Sequence, residues 1–120
     1  MLDLSGMWLG TYWQLKQPTR FELSLIQASN SLTGNILDDG HLGEAVITGE
    51  VIGKKIAFTK RYILHSHYHI NYNGNIADEG NYMSGEWRMT LGRGTWEAYR
   101  SEDLLMLESK KVDFVSLSKK

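Results

Sequence analysis

Residues 47–76 read ITGEVIGKKIAFTKRY, then ILHSHYH, then INYNGNI. Apolar or aromatic side chains alternate there with polar ones, and the breaks between runs are short. Successive side chains of a strand point to opposite faces, so Ile56, Phe58, Lys60 and Tyr62 share one face while Ala57, Thr59 and Arg61 share the other. The flanking sequence repeats this grammar, and strands are predicted at 6–14, 20–27, 31–38, 44–52, 54–62, 67–76, 82–89 and 93–100. Turn-forming stretches separate them: LKQPT around Pro18, ASNS at 28–31, DDGHLG at 38–43, IGK at 52–54, DEGN at 78–81 and LG at 91–92. Such links are too short for crossover helices, so neighbours pair antiparallel. A sheet of this width curls, and closing it removes both exposed edges. The expected fold is an all-β, eight-stranded antiparallel up-and-down (meander) barrel over residues 1–100, with a C-terminal segment at 101–120.

A chain of 120 residues suits one domain whose core needs no staples. Hydrophobic residues make up 42% and include four tryptophans, which argues against disorder. The formal net charge of -1 gives no general attraction to nucleic acid or to an anionic membrane and leaves only a local basic patch open. No apolar run approaches a membrane-spanning helix, and MLDLSGMW has no charged leader before an apolar stretch, so neither a span nor a signal peptide is expected. Without cysteine no disulfide reports the compartment, and the cytoplasm is the default expectation.

Gly10, Gly34, Gly49, Gly74 and Gly85 fall inside strands, on the parity assigned to the lumen. Missing side chains there let strands bend and leave room beside bulky rings, as small closed barrels require. The inward set on this parity includes Trp8, Tyr12, Phe21, Phe58, Tyr68, Ile70, Tyr72, Trp87, Met89 and Trp96, which fills most of a lumen and leaves a small cavity. GNILDDG at 34–40 recurs as GNIADEG at 74–80, two similar hairpins meeting one geometric demand. These Asp-x-Gly pieces are turn chemistry and lack the ligand density of a calcium loop. After Arg100, Ser101 is a candidate helix cap, and Leu104, Leu107, Val112 and Val115 form part of a helical stripe. That segment could plug a mouth, dock on the wall or join a subunit interface.

Lys60 has inward parity, and a buried lysine must be paired or neutralised. Either it snorkels to water at a barrel mouth, or Tyr12, Lys60, Tyr62, Tyr72 and Arg100 line a mouth that receives a polar or anionic ligand head. His65, His67 and His69 alternate as strand-borne metal ligands would, but the register that buries Tyr68 and Ile70 turns them outward, so no metal and no cofactor are expected. The chain has no thiol, no phosphate loop and no Gly-x-Ser-x-Gly elbow, and Glu50 and Glu86 face outward, so catalysis finds no obvious constellation. Leu9, Trp13, Ile26, Leu37, Val46, Tyr82 and Tyr99 have outward parity and suggest a contact surface, with a homodimer as the expected assembly.

Gly6-Met7-Trp8 opening the first strand and Arg100 closing the last resemble the calycin superfamily, which holds lipocalins, fatty-acid-binding proteins and avidins. The resemblance implies a meander barrel in which Trp8 packs across the floor and Arg100 covers it, a cation–π contact worth roughly 0.5–2 kcal/mol. LSGMW also looks like the first strand of avidin-type barrels, but no further lipocalin signature and no biotin-contact set is present, so no ligand is inherited. The functional expectation is binding of a small, partly apolar ligand at one mouth. The alternative is an interaction or structural module with a filled core, and a small isomerase or cyclase is a distant third.

Overall fold

The computed structural model describes residues 2–65 and 67–101. Its strands are β1 (Gly6–Gln14), β2 (Gln17–Ala28), β3 (Ser31–Asp38), β4 (Glu44–Ile52), β5 (Lys55–Tyr62), β6 (His69–Ile76), β7 (Tyr82–Met89) and β8 (Gly92–Arg100). They form the closed eight-stranded antiparallel barrel that the alternation predicts, each strand pairing with its successor. β1 closes on β8 from Trp8 opposite Arg100 to Trp13 opposite Thr95. The expectations for 101–120 lie outside the described residues except at Ser101, which is buried. Among the described residues no helix is long and apolar enough to cross a membrane.

Period-two patterning decides which face is dry. Trp8, Leu23, Ile36, Ala45, Ile47, Met83 and Trp96 are fully buried in the lumen, while Glu22, Asn35, Glu50, Asn71 and Glu86 on the intervening positions face out. The interior is therefore apolar, while the wall mixes these polar side chains with exposed Leu9, Ile26, Leu37, Val46 and Tyr99. Close approach explains the inward glycines. A Cβ on Gly34 would run into the carbonyl oxygen of Ser24, and one on Gly85 into that of Asn73.

Two strand starts differ from the sequence reading by more than one residue. β2 starts at Gln17 rather than residue 20, because Leu15 and Lys16 adopt φ of 50° and 68° and reverse the chain in two residues, with Gln14 paired to Gln17. Pro18 thus sits in the strand opposite Trp13, near its start, where a missing N–H is tolerated. β6 starts at His69 rather than residue 67, so Tyr68 is not a lumen residue. It stands 39% exposed in the β5–β6 loop.

The residues before β1 close one end of the barrel. Leu4 is fully buried there, and its carbonyl accepts the indole N–H of Trp8 at 2.9 Å. The Gln27 side chain clips this segment in place, accepting from the Leu4 amide at 2.9 Å and donating to the Leu2 carbonyl at 3.1 Å. Arg100 lies over the same end, its guanidinium carbon 4.7 Å from the Trp8 ring centroid. It donates to the carbonyls of Ser5, Asp3 and Gly80 at 2.8–3.1 Å.

Leu15 and Lys16 occupy left-handed conformations that cost an ordinary side chain about 1–2 kcal/mol each. Replacing the pair by Leu15→Asn and Lys16→Gly, the residues such turns prefer, should stabilise the barrel by about 1 kcal/mol, read as a raised urea midpoint with unchanged slope.

Candidate functional site

The opposite end is open, and a buried ion pair sits beneath it. Lys60 projects inward near the mouth end of β5, between Phe58 and Tyr62 on the same face. Asp38 ends β3 with the inward parity of Leu32 and Ile36. Both side chains are about 1% exposed. The Lys60 ammonium donates to both oxygens of the Asp38 carboxylate at 2.8 Å. Tyr62 donates its hydroxyl to the same carboxylate, and Tyr12 donates to it at 3.2 Å.

Aromatic faces complete the cage around the cation. The ammonium lies 4.8 Å from the Tyr12 ring centroid, 4.7 Å from that of Tyr62 and 5.8 Å from that of Tyr72. Phe58 stacks on Tyr72 at 4.8 Å, and Trp87 meets Tyr12 edge-on at 6.3 Å while donating its N–H to the Trp13 carbonyl. Burial pulls the Lys60 ammonium below its usual range, and the Asp38 charge opposes that shift. Burial pushes the phenols of Tyr12, Tyr62 and Tyr72 up, and the negative charge of Asp38 adds to it, so all three stay protonated near neutrality.

Above this cluster lies a pocket of about 160 Å³, lined by Tyr12, Gln14, Leu42, Lys60, Tyr62, Tyr68, Ile70, Tyr72, Trp87 and Met89. Hollows of about 580 Å³ also occur on the outer wall, and Asp38 helps to line one of them, but both are more open than the mouth pocket and neither includes Lys60.

Of the five mouth residues expected from the sequence, the structure brings Tyr12, Lys60, Tyr62 and Tyr72 together. Arg100 is a correction at the mouth only: it lies over Trp8 at the closed end, the other place expected for it, because β8 runs from the mouth at Gly92 down to the floor. The snorkelling alternative for Lys60 is also corrected, since its ammonium is buried against Asp38 rather than in water. Asp38 opens an Asp-x-Gly turn, and turn chemistry alone does not predict its pairing with Lys60. The available signal was its parity with Leu32 and Ile36, together with the need of an inward lysine for a counter-charge.

The histidines do not share one strand face, as their alternate spacing suggested. His65 and His67 precede β6, their rings 6.3 Å apart, and only His69 lies in the strand, opposite Arg61. Among the described residues no group of three His, Cys, Asp or Glu side chains has metal-holding geometry.

No family model matches the chain, and no curated protein does. Among solved structures, a de novo designed fluorescence-activating β barrel superposes with a TM-score of 0.62 at 13% sequence identity, covering 83% of this chain and 99% of the design. At that identity the likeness concerns the fold alone.

Asp38→Asn strands the Lys60 charge and should cost about 3–5 kcal/mol in urea unfolding, whereas Asp38→Leu combined with Lys60→Met should be neutral or stabilising. High pH tests the phenols. Their folded-state values are raised above 10, so the unfolded chain releases these protons first, and the stability they confer is lost as pH climbs above 10. Lys60 runs the other way, because its folded value is lowered and its penalty fades as pH rises towards 10.5. The urea midpoint should therefore fall between about pH 10.5 and about pH 11.5, and Tyr72→Phe should flatten that fall.

Proposed function

We propose that the barrel binds a small, partly apolar ligand at its open mouth, with the ligand's polar end seated on the Asp38–Lys60 pair. The observation that carries this reading is unspent hydrogen-bonding capacity facing a pocket. An ammonium has three N–H donors, and Asp38 engages Lys60 through two contacts. The Tyr72 hydroxyl lines the same pocket with no hydrogen-bond partner among the described residues. A ligand oxygen placed between them would meet two donors.

Size and charge narrow the class. Drug-sized ligands occupy roughly 300–1,000 Å³, so a pocket of about 160 Å³ suits a single ring or the ring end of something longer. Asp38 already neutralises Lys60, which favours an uncharged acceptor such as a hydroxyl or carbonyl over a strong anion. Met89, Ile70, Leu42 and Trp87 supply the apolar walls. Turnover is less well supported than binding. The three hydroxyls are poor acids once pushed above the usual phenol range, and the carboxylate is occupied by three donors.

The Trp8–Arg100 contact at the floor supports reading the chain as calycin-like. Fluorescence activation is a property of the designed barrel and is not carried over. A second reading, a protein-contact module, draws on the wall, where Leu9 opposite Tyr99 on β1 and β8, with Leu37 on β3, are each between 37% and 50% exposed. A homodimer through that stripe would be its simplest form.

Titration with p-cresol, a neutral one-ring probe, tests the first reading. Saturable NMR shifts are expected at the Met89 and Ile70 methyls but not at Met83 near the floor, with Kd about 1 mM as suits so few atoms. Met89→Trp should fill the pocket and abolish them. Shifts that are absent, or that spread along the Leu9–Tyr99 stripe, would favour the contact module.

A further inference from the structure

The three most exposed large apolar side chains of the described residues are Leu91 at 93%, Leu15 at 89% and Leu64 at 83%. They sit on three different loops, β7–β8, β1–β2 and β5–β6, and all three loops rim the open mouth. Ile63, next to Leu64, is 52% exposed. The turns at the closed end are of the ordinary polar kind, Ser29–Asn30, Gly53–Lys54 and Asp78–Asn81, and the exposed apolar residues of that end, Met7, Ile26 and Ile52, lie in strands rather than on turn tips. Folding does not ask for this asymmetry. Leu15 is both left-handed and almost fully exposed, so it is a poor turn residue that buries nothing.

Charge is polarised towards the same end. Lys16, Arg61, Arg88 and Arg93 are exposed there, and none has an ion-pair partner among the described residues. Arg88 stands directly opposite Arg93 across β7–β8, beside the Leu91 turn. Like charges so placed repel each other unless an anion lies between them. Against these four stand two exposed acids, Asp39 and Glu44, since Asp38 is spent on Lys60. All four histidines of the chain, His41, His65, His67 and His69, also lie at this end. The formal net charge of -1 for the whole chain conceals a basic, leucine-tipped mouth.

We infer that this rim docks on an anionic lipid bilayer. Leucine tips held apart on separate loops fit a fluid hydrocarbon boundary better than the shaped surface of a protein. The cations around them match lipid phosphates and carboxylates, and each basic residue near such a surface adds to the attraction. The wall stays in water, so the barrel stands on its mouth and the pocket opens onto the interface. The inference does not depend on the pocket holding a ligand.

Flotation of the full chain with phosphatidylcholine vesicles, with and without phosphatidylserine, tests it. Binding to the mixed vesicles is expected, at least about tenfold weaker without phosphatidylserine and weakened likewise by high salt. The triple variant Leu15→Asn, Leu64→Ser and Leu91→Ser should lose at least about tenfold in binding. Its turn is relaxed rather than strained, so it should remain folded. It should also keep the p-cresol shifts at Met89, so that loss of docking and loss of ligand binding are read separately. The inference is overturned if the full chain stays with the solvent fraction, or if the triple variant floats as well as the parent. A change of subunit number in the triple variant, with no vesicle binding by the parent, would assign the rim to a second copy or a protein partner instead.

Discussion

The backbone rungs between β1 and β8 turn a ribbon with two unpaired edges into a cylinder with none. Each unpaired N–H or carbonyl at a buried edge would cost as much as a lost hydrogen bond, so closure is what allows so thin a structure to stand alone. It also fixes which side chains share the lumen. Once Trp8 lies opposite Arg100 and Tyr12 opposite Trp96, the inward positions of every strand are committed, and only glycine fits where coiled strands crowd.

A cylinder has two ends, and this chain treats them differently. The segment before β1 folds under the floor, where Leu4 plugs the lumen and Gln27 and Arg100 satisfy its backbone. Nothing comparable covers the other end among the described residues. There the apolar core gives way to the Asp38–Lys60 pair, its tyrosine cage and a small opening, ringed by loops richer in leucine and cations than turns usually are. Both the ligand reading and the membrane reading follow from that difference.

The ion pair is a costly way to fill space. Two charges removed from water recover their desolvation only through close geometry and further hydrogen bonds, and apolar residues of similar volume often do as well or better. Lys60 shows the strain in a lowered pKa that Asp38 does not cancel. Its position under the mouth, rather than deep among Trp8, Leu23 and Ile36, is where a polar group could meet a ligand.

The sequence alone determined the strands, their antiparallel order, the barrel, the glycine-lined interior and the inward aim of Lys60. Alternation is a local, repeating signal that each strand carries by itself. It did not determine that Asp38 meets Lys60, which of the two ends expected for Arg100 is its own, that Leu4 and Gln27 close the base, or that His67 and Tyr68 leave the strand. Those facts join residues from strands far apart in the chain. Which of them share a level depends on the stagger of the closed sheet and on where each turn tightens, such as the two-residue reversal at Leu15 and Lys16. Parity tells a side chain which way to point, and only closure tells it what it will find there.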